Sequence, residues 1–395
     1  MKILYHHRTV SKDGIDVQLE EMTGAFAALG HDVILVPPKL GAREFGTAGW
    51  WASKLRPRLP RVVIELVTYA YNVLAFWRLA RTIMAHQPDA IYERCGPFLM
   101  AGIWAKRLFK LPMALELNAS HLAGGRFALR SLARRCERKA WRSADLCLPA
   151  GRLLAEVVKA AGVSERRIAV MPAAVDPSKF SPSLDDSAVR QQYGLDGKVV
   201  LGFVGCVQPS HGLDSVVQLV SDLETECNLH LLVVGDGSAR ASLVELANRL
   251  GVQDRLTFTG VVERAEIAAH MAAFDIALQP VAARHASPLR LVEYMALRKA
   301  IVAPDQHNVK DVLEHDRTAI LFDRRAPDGL RQALLRLIAD PELRERLGNA
   351  AAEEVALRPL TWMANADHVA SMLKRMPFSS TRRSTAFFLS RTGAR

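Results

Sequence analysis

Cysteine is scarce in this chain and is not arranged for a disulfide framework or a zinc site. The 395 residues include five cysteines, an odd number, and no two of them form a C-x-x-C pair. No group of histidines and cysteines has the spacing of zinc ligands either. Free thiols are typical of a reducing compartment, so we expect a cytoplasmic protein.

Long uncharged apolar runs are also lacking, which argues against a membrane-spanning helix. The nearest approach, Val62–Trp77, is interrupted by Glu65 and Asn72. At the N-terminus the apolar stretch ends at Tyr5 and is followed by His6-His7-Arg8, unlike a signal peptide. We therefore expect neither a transmembrane segment nor a cleaved leader.

Acidic residues are outnumbered by basic ones, and the formal net charge is +11. Six of the basic residues follow Leu373 with no acidic residue among them. A positive balance favours an anionic partner, which can be nucleic acid, nucleotide phosphates or an acidic membrane face. Nucleic acid is disfavoured because the sequence has no aromatic–basic module and no recognisable nucleic-acid-binding fold.

Short β-branched runs alternate with amphipathic helical patterns along most of the chain, which predicts βαβ units with parallel strands. The predicted strands include Met113–Leu117, Ile168–Met171, Val199–Val204 and Leu229–Val234. We predict an N-terminal Rossmann-like domain at 1–180, a linker at 181–198 and a second Rossmann-like domain at 199–357. A helix at 358–375 should pack back on the first domain, and a basic tail at 376–395 should be disordered.

Three predicted strands of the second domain end in glycine-containing turns that precede helices. These turns contain Gly205, Gly235 with Gly237, and Gly260. Glycine permits a sharp turn or the close approach of a ligand, and a helix N-terminus can receive phosphate. None of the turns is a dinucleotide fingerprint or a Walker loop. Three of them in one domain nevertheless favour a ligand site at the carboxyl ends of the strands.

A helical pattern that begins near Ser287-Pro288 carries Arg290 and Glu293 three residues apart, and hence on one helix face. An arginine and a carboxylate so placed can bind a diphosphate and ribose hydroxyls respectively. The same spacing also fits a surface ion pair of little energetic weight. Spacing alone leaves both interpretations open.

Taken together and in this order, these residues resemble the retaining glycosyltransferases of family 4, which have the GT-B fold. The likeness runs from Met1 to about Leu373. It is carried by the motifs Leu29-Gly30-His31-Asp32-Val33, Ala144-Asp145-Leu146, Pro172-Ala173-Ala174-Val175-Asp176, Gly235-Asp236-Gly237 and Glu293-Tyr294-Met295-Ala296. The resemblance implies an α/β protein with two Rossmann-like, doubly wound parallel-sheet domains that face each other across a cleft.

A bacterial subset that makes exopolysaccharide or other envelope glycans is more similar still. The subset motifs appear here as Tyr5-His6-His7-Arg8, Leu115-Glu116-Leu117-Asn118-Ala119, Pro209-Ser210-His211-Gly212 and Ser287-Pro288-Leu289-Arg290. Some positions depart from the wider family. Cys206 and His211 replace the Arg and Lys of its phosphate loop, and His285 replaces the first Glu of its E-x7-E motif.

The resemblance assigns candidate site residues. The donor would be bound by Gly205, His211, Gly212, Gly235, Val261, Val262, Ser287, Leu289, Arg290 and Glu293. The acceptor would contact His6, Asn118 and Ser120, and the candidates for a catalytic role are His121, Asn118 and His285. For each single histidine, an ordinary role in a loop or cleft wall stays open.

The implied reaction moves a sugar from a nucleotide-sugar donor to a lipid-linked or oligosaccharide acceptor with retention of configuration. No D-x-D triplet occurs, so we expect neither a metal nor another cofactor. Two alternatives remain. A catalytically weakened sugar-nucleotide-binding protein would explain Cys206 and His285. A nucleotide-sugar epimerase is weakened by the loss of a carboxylate at His285.

Basic residues recur every four positions along one predicted helix, with Glu137 interrupting them. The row consists of Arg126, Arg130, Arg134, Arg138 and Arg142. Upstream, further basic residues with Trp50 and Trp51 precede the apolar stretch Val62–Trp77. This pattern favours peripheral attachment to the anionic inner face of the plasma membrane. The alternative is a solvated helix face beside an ordinary buried crossover helix.

Overall fold

Parallel strands form two separate sheets in the computed structural model of this chain. The structure describes residues 1–8, 15–38, 59–118, 127–223, 228–282 and 289–376. The chain divides into two units: unit 1 contains Met1–Met171 and the chain from Trp362 onwards, and unit 2 contains Pro172–Thr361. Each unit is built around one of the sheets.

Unit 1 contains a five-stranded sheet in the order β2-β1-β3-β4-β5. Its strands are β1 (Lys2–His6), β2 (Asp32–Val36), β3 (Ala90–Arg94), β4 (Met113–Leu117) and β5 (Leu146–Pro149). The helices before unit 2 are α1 (Ile15–Ala28), α2 (Arg61–His86), α3 (Ala101–Phe109), α4 (Arg130–Ser143) and α5 (Arg152–Ala160). The parallel register aligns the carboxyl ends of β1, β3 and β4 at one edge of the sheet.

Unit 2 contains a six-stranded sheet in the order β11-β10-β9-β6-β7-β8. Its strands are β6 (Val199–Val204), β7 (Leu229–Val234), β8 (Leu256–Gly260), β9 (Ile276–Leu278), β10 (Ala300–Pro304) and β11 (Ile320–Phe322). Its helices are α6 (Ser187–Tyr193), α7 (Leu213–Asp222), α8 (Arg240–Leu250), α9 (Arg264–Ala272), α10 (Leu289–Ala296), α11 (His307–Lys310), α12 (Gly329–Ala339) and α13 (Pro341–Leu357).

Central strands of both sheets are mostly apolar because helices cover both of their faces. Every residue of β4 and of β7 is buried. Buried residues on opposite sides of the unit 2 sheet form two hydrophobic clusters, one around Phe274 and Tyr294 and the other around Phe203 and Leu334. The doubly wound α/β architecture expected from the sequence is confirmed for both units.

The last described helix, α14 (Trp362–Lys374), returns to unit 1. It contacts α1, and its residues Val369, Ala370 and Leu373 are buried. The chain from 377 onwards, which includes nearly all of the expected disordered tail, lies outside the described residues.

The expected linker at 181–198 is wrong, because these residues form part of unit 2. Val189 on α6 and Leu195 after it are buried in the unit 2 core. Arg190 bonds to Asp275, which precedes β9, with an Nη2–Oδ2 distance of 3.0 Å. The first unit accordingly ends at Met171 rather than at residue 180. This stretch was predicted to be a linker because most of its residues are polar. Two buried apolar residues are nevertheless enough to attach the short helix to the unit 2 core.

A second expectation also fails, since 168–171 is not a strand. Ile168 makes only an isolated bridge to Cys147 at the edge of the unit 1 sheet. Helix α3 begins at Ala101 and cannot include Phe98, because Phe98 has a φ of 60°. A left-handed residue cannot lie inside a right-handed helix.

Helix α2 (Arg61–His86) extends beyond the apolar run Val62–Trp77 in both directions. It has 26 residues, and by length and composition it could cross a membrane. Only 17% of its most apolar stretch is buried. The interpretation of this segment as an ordinary buried crossover helix is therefore wrong.

His230 on β7 makes the stability of unit 2 depend on pH. The ring is 3% exposed, and its Nε2 lies 2.8 Å from Thr257 Oγ1. Burial, followed by the charges of Lys198 and Arg255, lowers the pKa of His230 from 6.5 to about 4. Between these two values the unfolded chain binds a proton that the folded chain does not. The contribution of neutral His230 to the unfolding free energy is therefore fully present above the pKa of the unfolded chain. It decreases as the pH falls towards the pKa of the folded chain.

We expect this protonation to remove up to about 3 kcal/mol of unfolding free energy across that window. His230→Gln can keep a hydrogen bond to Thr257 without titrating, so its unfolding free energy should show a weaker pH dependence. Urea unfolding of both proteins at several pH values in this window measures the difference. Equal pH slopes would contradict this role of His230.

Candidate functional site

The three glycine turns of unit 2 meet at the carboxyl ends of β6, β7 and β8. The Gly205 N–H donates to Val234 O at 2.9 Å, and Gly235 forms a bridge with Gly260. Gly205 and Gly235 have φ values of 133° and 135°, which strongly favour glycine. A Cβ on Gly235 would lie 2.2 Å from Gly205 O. The glycines are thus required for two turns to pass each other at van der Waals distance.

Arg290, in the first turn of α10, points to the same place. A Cβ added to Gly205 would lie 2.8 Å from Arg290 Nη2. The guanidinium carbon is 4.7 Å from the centre of the Phe203 ring, a stacked cation–π arrangement. Arg290 Nη1 is buried and donates no hydrogen bond to any described residue. An unsatisfied buried donor is costly, and an anion bound at this point would relieve that cost.

His211 lies on the same Phe203 ring, with the ring centres 5.4 Å apart. It ends the short 3₁₀ turn Pro209–His211, and Gly212 follows with a φ of 69°. Burial, then the nearby charge of Arg290, lowers the pKa of His211, while a hydrogen bond with the Cys206 backbone acts in the opposite direction. His211 is therefore neutral at pH 7, and its buried Nδ1 has no partner among the described residues.

Further expected donor residues that the structure describes also belong to unit 2. Glu293 is 7% exposed, so it does not lie on the protein surface, as the alternative interpretation of its spacing with Arg290 required. Tyr294, next to it, accepts a hydrogen bond on its hydroxyl from the Val204 N–H at 3.3 Å. Val261 is 86% exposed after β8, and Val262 and Leu289 pack against the unit 2 core.

Four expected site residues lie outside the described parts of the chain. They are Ser120, His121, His285 and Ser287. Their roles remain predictions. Among the described residues, no group of three His, Cys, Asp or Glu side chains is placed to hold a metal ion.

In unit 1, Asn118 belongs to a buried polar network at the end of β4. Its Nδ2 donates to Glu116 Oε1 at 2.5 Å, and its Oδ1 accepts from Gln18 Nε2 at 3.2 Å. The other Glu116 oxygen accepts from the hydroxyls of Tyr92 at 2.7 Å and Tyr5 at 3.1 Å. Burial is the main reason why the pKa values of both tyrosines lie well above 10. The network fixes the Asn118 amide.

His6 is 3% exposed, and its Nδ1 lies 2.5 Å from Glu93 Oε2. Glu93 is itself fully buried on β3 and packs against Gly102, where a Cβ would lie 2.1 Å from the carboxylate. This contact explains the glycine in the first turn of α3. The ring of His6 is thus held by a buried acid, and its contact with an acceptor stays a prediction.

Three residues that hold the site residues in place were not predicted from the sequence: Phe203 in unit 2, and Glu93 and Glu116 in unit 1. Phe203 supports both Arg290 and His211, but in the sequence it is one apolar residue within an apolar strand. The two glutamates did carry a signal. Each is a buried acid inside a mostly apolar strand, where a carboxylate must have polar partners.

The thiol of Cys206 gives a chemical test of whether a ligand binds beside Arg290 and His211 in unit 2. Cys206 is exposed, whereas Cys136 and Cys147 are buried and Cys95 is half-buried. Burial raises the pKa of those three thiols, to about 12 for Cys147. Since the thiolate is the reactive form, iodoacetamide should label Cys206 first.

In a Cys227→Ser background, we expect a nucleotide-sugar to slow labelling of Cys206 at least about tenfold at 100 times its dissociation constant, because bound ligand covers the thiol. Mass spectrometry of the labelled peptides measures this, with inorganic sulfate as the anion control. Labelling of Cys206 that is unaffected by a ligand known to bind would show that the ligand lies elsewhere.

Two family profiles match the chain, one in each half. The profile described as "Glycosyl transferase 4-like domain" matches residues 13–174, and the one described as "Glycosyl transferases group 1" matches residues 185–354. Together they cover most of both units.

Similar proteins of named activity transfer sugars. A GDP-mannose-dependent alpha-(1-6)-phosphatidylinositol monomannoside mannosyltransferase of Mycolicibacterium smegmatis is 23% identical over 92% of this chain and 95% of its own length. A 2-deoxystreptamine glucosyltransferase of Streptomyces kanamyceticus is 33% identical over 46% of this chain and 50% of its own. The chain therefore spans about half the length of some relatives and nearly all of others.

Solved structures share the fold at low sequence identity. HepE from Anabaena in complex with UDP has a TM-score of 0.76 and 20% identity, covering 95% of this chain and 100% of that one. Sucrose-phosphate synthase from Thermosynechococcus elongatus has a TM-score of 0.74 and 16% identity, covering 95% and 99%. With its two parallel sheets and matching family profiles, this chain belongs to the family 4 glycosyltransferases and has the GT-B fold.

Proposed function

We propose that the protein transfers a sugar from a nucleotide-sugar donor to a saccharide acceptor with retention of configuration. One observation carries the donor assignment. The buried Nη1 of Arg290 has no hydrogen-bond acceptor among the described residues and lies beside the glycine turns at the carboxyl ends of β6 and β7. A diphosphate offers oxygen acceptors that pair well with a guanidinium.

In this proposal, stabilisation of the leaving diphosphate is the main catalytic contribution of unit 2. Arg290 and the backbone N–H groups of the glycine turns would stabilise the negative charge that develops on the diphosphate as the sugar is transferred. Neutral His211 adds a hydrogen bond without adding charge. We assign this role to protein groups alone, without a metal.

Retention follows if the acceptor hydroxyl attacks from the face that the diphosphate leaves. The departing phosphate oxygen can take the proton of that hydroxyl, so the reaction needs no strong base. Asn118, fixed by Glu116 and Gln18, would hold the acceptor, together with His6, Ser120 and His121. Glu293 would bind the ribose hydroxyls, and the backbone at Val261 and Val262 the base.

A lipid-linked acceptor in bacterial exopolysaccharide or envelope glycan synthesis is the biological role that we propose. Support comes from the envelope-glycan motifs in the sequence and from the mycobacterial relative, whose name specifies a phosphatidylinositol monomannoside. A cytoplasmic protein at the inner face of the plasma membrane would meet both a soluble donor and such an acceptor.

Thermal-shift measurement with UDP-, GDP- and ADP-sugars tests the donor assignment. GDP-mannose and UDP-glucose come first, since a relative and a structural neighbour are named for them. A ligand at 100 times its dissociation constant should add about 2.7 kcal/mol. No stabilisation by any of these compounds would contradict the donor assignment.

The product then distinguishes transfer from the alternatives. Incubation with the stabilising donor and a membrane glycolipid extract should give a glycosylated lipid whose new linkage has the anomeric configuration of the donor, measured by NMR. Binding without transfer or donor hydrolysis would favour the catalytically weakened binding protein. A changed sugar on recovered nucleotide would favour an epimerase.

A further inference from the structure

The outward face of α2 is apolar over most of its length. The residues on it are between 38% and 61% exposed: Val62, Val63, Leu66, Val67, Val73, Leu74, Trp77 and Met84. We call these eight residues the α2 apolar face. A contiguous exposed apolar surface of this kind on a folded domain marks a site of interaction with a membrane or a protein.

The opposite face of α2 holds the helix against unit 1. Leu79 and Ile83 are buried in the core of the unit. The Asn72 side chain donates to Phe98 O at 2.6 Å and accepts from the Met100 N–H at 2.8 Å. These contacts satisfy the polar amide and attach α2 to the turn before α3. Spanning a bilayer would break them, although α2 is long enough to span.

The only acidic residue of α2 faces inward. Both oxygens of Glu65 accept backbone N–H groups at the start of α4, from Ala128 at 2.8 Å and from Leu129 at 2.7 Å. A carboxylate at a helix N-terminus is a stabilising arrangement. These two hydrogen bonds hold the Glu65 carboxylate away from the outward side of α2. They also join the second turn of α2 to the beginning of α4.

The outward side of α4 is basic. Its exposed charged residues are Arg130, Arg134, Arg135, Arg138, Lys139 and Arg142. We call these six residues the α4 basic face. Glu137, which interrupts this row in the sequence, is 8% exposed because it shares the inward side of the helix with Cys136 and Ala140. No acid thus reduces the positive charge on the outward side.

We infer that these two faces together form a docking surface for an anionic phospholipid membrane, with α2 lying in the plane of the interface. The α2 apolar face would enter the boundary between headgroups and acyl chains, where a tryptophan such as Trp77 is favoured. The α4 basic face would lie among the acidic headgroups. Charge complementarity selects an acidic bilayer, because a second copy of the protein would bring the same positive face.

Vesicle co-sedimentation of the full chain tests this docking. We expect binding to vesicles of phosphatidylcholine with phosphatidylglycerol, much weaker binding to phosphatidylcholine alone, and release by high salt. Arg134→Glu with Arg138→Glu should weaken binding at least about 25-fold, since each basic side chain near the surface contributes about a fivefold factor. Leu66→Asp with Val73→Asp should abolish it.

Matched controls lie in unit 2. Arg249→Glu with Arg325→Glu makes the same change in charge, and Val244→Asp with Leu357→Asp replaces exposed apolar residues. Both controls should bind vesicles as the unchanged protein does, and all variants should keep the donor-induced thermal shift. That shift tests the proposed function separately, so either proposal can fail alone.

Three results would overturn the docking surface. The first is no binding to acidic vesicles even at low salt. The second is equal binding to neutral and acidic vesicles. The third is a dimer in sedimentation velocity that Leu66→Asp with Val73→Asp converts to a monomer while vesicles are not bound, since a second copy would then cover the α2 apolar face.

Discussion

Arg290→Ala should lower kcat/KM for sugar transfer at least a hundredfold while the unfolding free energy changes by less than about 1 kcal/mol. The guanidinium is the buried cation of the proposed donor site, and removal of one such group from a site that stabilises developing negative charge costs about 3 kcal/mol. Stability should hardly change, because the Nη1 of Arg290 bonds to no described residue. Truncation removes an unsatisfied donor and leaves no acceptor stranded.

Arg290→Lys is the conservative variant. It keeps a charge but loses the planar stacking on Phe203, so we expect it to recover part of the activity that Arg290→Ala loses. Arg249→Ala, an exposed arginine on α8, is the matched control and should leave activity unchanged. Kinetics and urea unfolding measured on the same preparations separate the two effects. Near-normal activity of Arg290→Ala would remove the phosphate role of this residue.

Gly235→Ala should both destabilise unit 2 and abolish detectable donor binding. The new Cβ would lie 2.2 Å from Gly205 O at a φ of 135°. A backbone carbonyl cannot move aside as a flexible side chain can, so the Gly205 turn must shift away from Arg290. We expect a loss of more than about 2 kcal/mol of unfolding free energy, as for overpacking combined with backbone strain.

Gly251→Ala separates the steric effect from the conformational one. Gly251 also has a positive φ, 74°, but no heavy atom lies within 4 Å of its ideal Cβ. This control should cost about 1 kcal/mol and leave the donor thermal shift intact. Similar stability and donor binding for the two variants would contradict the close packing of the Gly205 and Gly235 turns.

The sheets could be predicted from sequence because their strands are short, mostly apolar runs between turn residues. Met113–Leu117, Val199–Val204 and Leu229–Val234 have the predicted bounds. The predictions that proved wrong concern segments that only a few buried residues attach to the core. Helix α6 has seven residues, and one buried residue, Val189, fixes it to the core. In a Pro- and Ser-rich stretch, that single apolar residue does not outweigh the surrounding turn signals.

The donor cluster could be predicted in part. Glycines at strand ends indicated where the backbone turns, and the spacing of Arg290 and Glu293 indicated one possible diphosphate site. The family resemblance favoured that interpretation and added His211. Their shared contact with Phe203 could not be predicted, since it depends on how α10 and the 3₁₀ turn pack beside β6. The inward position of Glu137 was available in principle, because Glu137, Cys136 and Ala140 fall on one side of a helix with 3.6 residues per turn.

A crystal structure of the protein with the nucleotide-sugar that gives the largest thermal shift would locate the donor diphosphate. We predict that a diphosphate oxygen lies within hydrogen-bond distance of Arg290 Nη1, beside the Gly205 turn. The ribose should then contact the Glu293 carboxylate. A diphosphate bound away from Arg290, with the Arg290 Nη1 still unbonded, would contradict the proposed donor site.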